Sequence, residues 1–396
     1  MLIQIEKPGV SDHGPAVLRA GFRPFFLLAG LQGAVMVPLW LLFLSGGGQP
    51  AVPAWLWHGH EMVFGFAVAA VCGFLLTAVP NWTGAAGVKG WRLGLLAGLW
   101  LVARIAFLGG LPVIVGAACD LLLLPALGGL LARPLILAGK LRNMAFLLLL
   151  TILTVCDALV LAEMLGWTAG TGRIGLWGGV FLLCMMIAIV GGRIIPGFTQ
   201  NGLRQIGVAV QPVARPWLDK AALAGLALSA IGWLALPESR IAGTFCLLAA
   251  VAHLVRMAGW HGQKTARVPL LWILHAGYLW LPVGLALLGA STFIPSLLPP
   301  ALALHALTAG CIGSMVIGVM SRAALGHSGR PLQPSGITVA AYGFIQAGAL
   351  LRVFGLLAGL PFALDISGAL WSLGWLLFVL VYAPICLKPR EDGRPG

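Results

Sequence analysis

Twelve apolar runs of roughly 20 residues, spread along almost the whole chain, constrain its fold more than any other feature. A helix needs about 20 such residues to cross the hydrocarbon core of a bilayer. Some runs are separated by very short turns, such as residues 109–112, so neighbouring runs are expected to form helical hairpins. The runs lie at residues 22–44, 59–80, 91–109, 111–131, 143–166, 174–195, 219–236, 240–258, 268–289, 299–320, 336–358 and 361–387.

The composition agrees with a protein whose surface faces lipid. Only 9% of the residues are charged and 60% are hydrophobic, whereas a soluble domain carries about 25% charged residues. The net charge of +13 would indicate nucleic-acid binding in a soluble protein. Here the basic residues concentrate in the loops between apolar runs, so topology explains the charge and we expect no nucleic-acid partner.

The basic residues also predict the orientation of the chain. With both termini placed inside, alternate loops and termini on the inner side hold 20 of the 24 Lys and Arg residues, and the outer loops hold only Arg173 and Arg240. This bias is the positive-inside rule. We therefore predict an all-α, polytopic membrane bundle of about twelve transmembrane helices with both termini cytoplasmic. Its parts are a tail at 1–21, a membrane domain at 22–387 and a tail at 388–396.

Two arginines fall inside predicted spans. Arg104 and Arg352 both lie in the outer third of their helices. An arginine in the hydrocarbon costs at least ~2.5 kcal/mol unless it finds a partner or water. Two interpretations stay open: the side chains extend to the outer headgroups, or they face the bundle and hold an anionic group such as the propionates of a haem.

The topology sorts the histidines into an outer and an inner layer. The outer layer holds His58 and His60, which precede the second span, and His305, which lies near the start of the tenth. His13 lies in the polar N-terminal segment and is given no role. The inner layer holds His253, His261, His275 and His327.

Neutral imidazole is the commonest nitrogen ligand of iron, copper and zinc. Three histidines and two arginines at one depth therefore predict an outer haem or metal site, and His253, His275 and His327 predict a second site on the inner side. The alternative for each histidine alone is an interhelical hydrogen bond. His58 and His60 would point opposite ways on a regular helix, unless Gly59 lets them converge.

Several other polar residues within the spans leave alternatives open. Glu61 could orient an imidazole through its second nitrogen. Asp120, Asp157 and Glu163 could pair with Arg104, relay protons or lie at a polar interface. Residues 191–201 contain three glycines, a proline and several polar side chains, which is typical either of a helix end or of a functional joint.

Taken together, six segments of the chain resemble the NnrS family, and they cover nearly the whole chain in order. They are FRPFFLLAG at 22–30, WHGHEMVFGF at 57–66, GFLLTAVPNWTG at 73–84, GGRIIPGFTQNG at 191–202, PLLWILHAGYLWLP at 269–282 and HALTAGCIGSMVIGVMSRAALGHSGRPL at 305–332.

The resemblance implies a multi-pass protein of the bacterial inner membrane that contains haem b and copper and is linked to nitric oxide and nitrosative stress. The residues that carry over are His58, His60, His275, His305 and His327, while His253 and His261 lie outside the matching segments. The chain contains no Cys-x-x-Cys-His haem attachment site, so the haem would be bound non-covalently.

Three functions remain open at this point. The first is a haem and copper protein that binds nitric oxide or, as an oxidoreductase, turns it over with an electron donor that the sequence does not identify. The second is a secondary transporter, a class that also has twelve helices and broken spans; the two halves of the chain show no matching positions for the histidines. The third is a factor that delivers haem or copper to a nitrogen-oxide reductase.

Overall fold

The computed structural model describes residues 14–139, 141–213 and 215–394, and His13 lies outside these ranges. Within them the regular secondary structure is entirely helical. The long helices are α1 Phe22–Leu44, α2 Ala54–Thr83, α3 Trp91–Phe107, α4 Val113–Leu137, α5 Leu141–Met164, α6 Thr171–Gln205, α7 Pro216–Ala235, α8 Arg240–Ala258, α9 Pro269–Ser291, α10 Pro300–His327, α11 Gly336–Gly355 and α12 Ala363–Leu387.

These helices confirm the prediction of an all-helical, multi-pass membrane protein. Among the described residues, eleven helices are long and apolar enough to cross a membrane. The remaining one, α3, has 17 residues, which is short for a bilayer that needs about 20. The count of twelve crossings and the side on which the termini lie stay predictions.

Three of the helices change to π winding at the outer level. The π segments are Glu61–Ala67 within α2, Ala306–Gly313 within α10 and Leu351–Gly355 at the end of α11. The first follows His60 directly, the second follows His305, and the third contains Arg352. A π segment fits an extra residue into a helical turn and is frequent at functional sites. The unusual helical geometry therefore coincides with residues singled out by the sequence.

Two of the helix boundaries that differ from the predicted ones affect the residues singled out by the sequence. α2 begins at Ala54 rather than at residue 59, so His58 and His60 lie within the helix and do not precede it. α6 does not stop at residue 195 but continues to Gln205. Pro196 removes one backbone hydrogen bond, a loss that membrane helices tolerate. At 35 residues, α6 is ~52 Å long, so it extends beyond a hydrocarbon core of about 30 Å.

The helices pack closely through small residues, as is typical in membranes. α1 lies against α12, where a Cβ atom on Gly33 would be 2.7 Å from Trp375 Cγ. At the other end of this pair the buried Arg23 side chain donates to the carbonyl oxygens of Ile385 and Cys386 at 3.2 and 3.1 Å. These contacts hold the first helix against the last.

Candidate functional site

The outer-layer residues form two separate sites on opposite faces of α2. The turn that holds His58 and His60 is regular α-helix, in which residues two apart are rotated by about 200°. Gly59 does not let the two imidazoles converge; it packs against Leu176, whose Cδ1 would be 2.7 Å from an added Cβ atom. His58 faces a cavity, and His60 faces α3, α4 and α5.

The outer cavity has a volume of about 280 Å³ and lies between α1, α2, α6, α10, α11 and α12. This is near the lower end of the range for ligand pockets, roughly 300–1,000 Å³. Much of its wall is aromatic, formed by Trp40, Phe66, Trp177 and Trp371. A small number of polar groups in an apolar cavity is typical of a ligand site. The polar side chains in the wall are His58, Arg173, His305, Thr308, Arg352 and Ser367.

His305 enters the cavity wall with a defined tautomer. Its Nδ1 lies 2.8 Å from the carbonyl oxygen of Ala301, and a carbonyl can only accept, so Nδ1 carries the proton. The lone pair is therefore on Nε2, where it accepts a hydrogen bond of 3.1 Å from Arg352. An imidazole oriented by a backbone carbonyl in this way is the usual form of a metal-ligating histidine.

His58 presents a nitrogen that is not used by the protein. Its ring stacks on Trp40 with the ring centres 4.6 Å apart and the planes at 15°. Its Nδ1 is buried and has no hydrogen-bond partner among the described residues. Because buried polar atoms are nearly always hydrogen-bonded, this nitrogen has a bonding capacity that the described residues leave unused.

Two guanidinium groups border the same cavity. Arg352 contacts His305, and Arg173 is exposed and donates to Glu238 Oε1 at 2.6 Å. Arginine binds carboxylates and phosphates with paired hydrogen bonds. The sequence missed Arg173 as a site residue because its position at the start of α6 was explained by the loop topology alone.

The second site, the outer cluster, consists of His60, Glu61, Arg104, Asp120 and Asp157. All five side chains are between 0 and 3% exposed. His60 Nε2 lies 3.0 Å from Asp120 Oδ2 and 3.1 Å from Asp157 Oδ1, and His60 Nδ1 lies 3.3 Å from Glu61 Oε1. Asp120 is seven residues after the start of α4 and Asp157 seven residues before the end of α5, about 10 Å along each helix.

Arg104 belongs to this cluster and not to the cavity. Its NH2 group donates to Asp120 Oδ2 at 2.6 Å, and its Nε lies 3.4 Å from Glu61 Oε2. The side chain therefore does not extend to the outer headgroups. Gln32 Nε2 donates to the same Glu61 oxygen at 2.6 Å. Glu163, the third acid that the sequence left open, lies apart and accepts a hydrogen bond of 2.7 Å from the backbone of Gly172.

Gly65 allows the cluster to close. It lies in the π segment of α2, and its carbonyl oxygen accepts a hydrogen bond of 2.9 Å from Trp100 Nε1. A Cβ atom at this position would be 2.6 Å from both Arg104 NH1 and Gln32 Nε2. Only glycine lets the arginine and the glutamine approach this closely.

The inner histidines lie in separate environments. His253 Nδ1 is 2.8 Å from the hydroxyl of Tyr278, and His275 Nε2 is 2.8 Å from the hydroxyl of Thr199. His327 packs instead on Phe22, with ring centres 6.0 Å apart. The structure does not bring these three histidines together as the sequence predicted.

His261 lies in the loop before α9, and its Nε2 is 3.1 Å from the carbonyl oxygen of Gln211. Within the described ranges, the one group of three metal-donor side chains is His60, Asp120 and Asp157, whose donor atoms all lie within 4.8 Å of one another. Metal-binding geometry is therefore concentrated in the outer layer.

Comparison with known proteins supports the resemblance seen in the motifs. The sequence model of the NnrS protein family matches residues 16–390. The chain belongs to the NnrS family. No curated protein is similar enough to the chain to count as a match.

In this NnrS family protein the matched region contains both outer sites in full. The outer cavity combines imidazoles, guanidinium groups and aromatic walls, a set that suits a flat ligand with anionic groups at its edge. The outer cluster combines one imidazole with three carboxylates and is closed to solvent. The two sites share α2 and a depth in the bundle, and they differ in almost every other respect.

Proposed function

We propose that this NnrS family protein is a haem-binding protein of the bacterial inner membrane that binds nitric oxide, or metabolises it, and so protects against nitrosative stress. The observation that carries the proposal is the outer cavity, where His58 and His305 face a shared space from α2 and α10. The resemblance to the NnrS family implies a link to nitric oxide, and the cavity is the part of the described bundle best suited to a haem.

The donor atoms of the cavity fit a haem b. Two nitrogens could hold its iron: the unpartnered Nδ1 of His58, or Nε2 of His305 once a propionate has drawn Arg352 away from it. Ligation by one of them would leave the iron able to bind nitric oxide. Haem b, when bound, supplies an iron atom with affinity for nitric oxide. Trp40 holds the His58 ring by stacking, and the carbonyl of Ala301 fixes the tautomer of His305, so the chain prepares both imidazoles for ligation.

Arg352 and Arg173 fit the two propionates of a haem. Both line the cavity, and charge-assisted hydrogen bonds to carboxylates are about twice as strong as neutral ones. Arg352 has no carboxylate partner among the described residues and donates to the neutral ring of His305. A propionate would give this partly buried guanidinium the anion that it lacks.

Copper, the second cofactor that the resemblance implies, does not fit the inner layer. Thr199 donates its hydroxyl hydrogen to the carbonyl of Ile195 at 2.8 Å, so His275 Nε2 must donate to Thr199, and the buried Nδ1 is left with a lone pair and no partner. Gly262 packs against this nitrogen, 2.7 Å from an added Cβ atom. A single imidazole supplies fewer donor atoms than copper sites use. We therefore assign no copper to these residues.

We infer that the bundle crosses the membrane twelve times with both termini in the cytoplasm. The short helix α3 forms a hairpin with α4 around residues 108–112, and counting it as a crossing preserves the positive-inside pattern. A reporter that is active only in the periplasm, fused after residue 394, should be inactive. An active fusion would show that one crossing has been miscounted.

The haem proposal is tested by the optical spectrum of the purified protein. Detergent-solubilised protein supplied with haem should show a b-type spectrum that shifts when nitric oxide is added. His58→Ala and His305→Ala should each lose more than half of the bound haem, and His261→Ala, in a loop away from the cavity, should retain it. Folded protein that stays colourless after haem addition would refute the proposal.

A further inference from the structure

The outer cluster has the donor atoms, the geometry and the charge of a metal site. We propose that it binds a divalent metal ion of the zinc, manganese or ferrous class through His60 Nε2 and one carboxylate oxygen each of Asp120 and Asp157. The three donor atoms lie within 4.8 Å of one another. This site lies on the opposite face of α2 from the cavity, so the proposal does not depend on haem binding.

The spacing of the donors is close to that of ligands around one ion. His60 Nε2 lies 3.0 and 3.1 Å from the two aspartate oxygens. Ligands that share a tetrahedral ion at about 2.0–2.1 Å are about 3.3–3.4 Å apart. Shifts of a few tenths of an ångström in side chains would therefore admit the ion.

Glu61 orients the imidazole toward the two aspartates. Its Oε1 lies 3.3 Å from His60 Nδ1, which places the Nδ1 proton between them and the lone pair on Nε2. A carboxylate, a histidine and a metal in this order are the usual arrangement around a ligating histidine. Without an ion or a proton, the lone pair of Nε2 would point at two carboxylate oxygens and repel both.

With its three carboxylates ionised and His60 neutral, the cluster has two more negative charges than Arg104 neutralises. Three carboxylates face one guanidinium, that of Arg104, and all of these groups are almost completely buried. A buried charge without a partner is very costly. A divalent ion supplies both missing charges at once, whereas protonation has to place one proton on His60 and a second on a carboxylate.

The donor set also indicates the class of ion. One imidazole nitrogen and two carboxylate oxygens suit zinc, manganese and ferrous iron, whereas cuprous copper prefers sulfur ligands. Three protein ligands leave a fourth position for water or another small ligand, as in catalytic zinc sites. Gln32 and Arg104 hydrogen-bond to carboxylates of the cluster and hold them in place.

Zinc titration of the purified protein tests this site. After treatment with a chelator, the full chain in detergent should bind one zinc ion per protein molecule in calorimetry. Elemental analysis of the zinc-loaded protein should give the same ratio of zinc to protein. Asp157→Asn keeps the size of the side chain and removes its charge, and it should weaken zinc binding at least tenfold. Glu163→Gln changes an acid on the same helix outside the cluster and should bind zinc like the unchanged chain.

Two further measurements separate the possible outcomes. Zinc should raise the thermal midpoint of the unchanged chain, a test that needs no variant to fold. His58→Ala should lose haem and keep zinc, so a failure of the haem proposal does not affect this one. Zinc binding equal in the unchanged chain and in Asp157→Asn would overturn the site. So would an infrared band of a protonated carboxyl group that persists with zinc present and disappears in Asp157→Asn.

Discussion

His58 and His60 lie two residues apart on one helix and at one depth, yet their surroundings are opposite. His58 faces a cavity with aromatic walls, and its Nδ1 has no partner among the described residues. His60 is fully buried, and both of its ring nitrogens face carboxylates. Just over half a turn of helix thus separates a histidine that is available to a ligand in the cavity from one already held by carboxylates.

This difference shows that neighbours, more than depth, decide what a membrane histidine can do. The cavity side has guanidinium groups and few acids, so it favours an anionic ligand. The cluster side has three acids against one guanidinium, so it favours a cation. Changes on the two faces should therefore affect different cofactors and should differ in their effect on stability.

Arg104→Ala should have the largest effect on stability. It removes the one guanidinium that faces three buried carboxylates, and breaking a buried ion pair by removing one partner costs about 3–5 kcal/mol. The thermal midpoint of the detergent-solubilised protein should fall steeply, or the folded yield should collapse. The measurement is fluorescence-detected size-exclusion chromatography after heating.

Arg352→Ala is the matched change on the cavity side. Arg352 bonds to a neutral imidazole, so its loss should leave the thermal midpoint nearly unchanged while it weakens haem retention. Similar losses of stability in Arg104→Ala and Arg352→Ala would show that the two faces do not differ in the way described.

Gly65→Ala should have the next largest effect. The added methyl group would lie 2.6 Å from Arg104 NH1 and Gln32 Nε2, and overpacking of this kind typically costs 1–3 kcal/mol. Gly98→Ala, on α3, is the control because an added Cβ atom there meets nothing within 4 Å. Equal thermal midpoints for the two variants would mean that the cluster is not tightly closed at Gly65.

The sequence was a good guide to depth. Apolar length predicted the helices, and the basic loops assigned His58, His60, His305, Arg104 and Arg352 to one layer. The structure places Arg104 and His60 in one site and Arg352, His58 and His305 in another. The depth of a residue follows from its position along its helix. Hydropathy marks where each helix begins and ends, and the charged loops indicate which end faces which side.

The sequence could not predict which way these side chains face. In a soluble helix the apolar stripe marks the buried side, but a membrane helix is apolar toward lipid and toward its neighbours alike. Glu61 follows His60 in the chain, but Asp120 and Asp157 lie on two other helices, so no local pattern connects His60 to them. The continuation of α6 past Pro196 was missed because a proline in a soluble helix usually marks an end.

Trp40→Leu should have a smaller effect, confined to the cavity side. It removes the ring on which His58 stacks at 4.6 Å, and aromatic pairs contribute about 0.5–1.5 kcal/mol beyond their buried area. Haem transfer to an excess of apo-myoglobin should accelerate by roughly two- to tenfold, with zinc binding at the cluster unchanged. An effect on zinc binding and not on haem would reverse the assignment of the two faces.

The smallest effect should come from an ion pair outside the membrane. Asp392 pairs with Arg390, and this contact lowers the pKa of the exposed Asp392 to about 2. A lowered pKa contributes stability that is present above the unfolded value and is lost as the pH falls from about 4 toward about 2. Because water screens both groups, Asp392→Asn should leave the thermal midpoint at pH 7 unchanged within error, in contrast to Arg104→Ala. A loss at pH 7 as large as that of Gly65→Ala would show that burial does not explain the strength of the cluster.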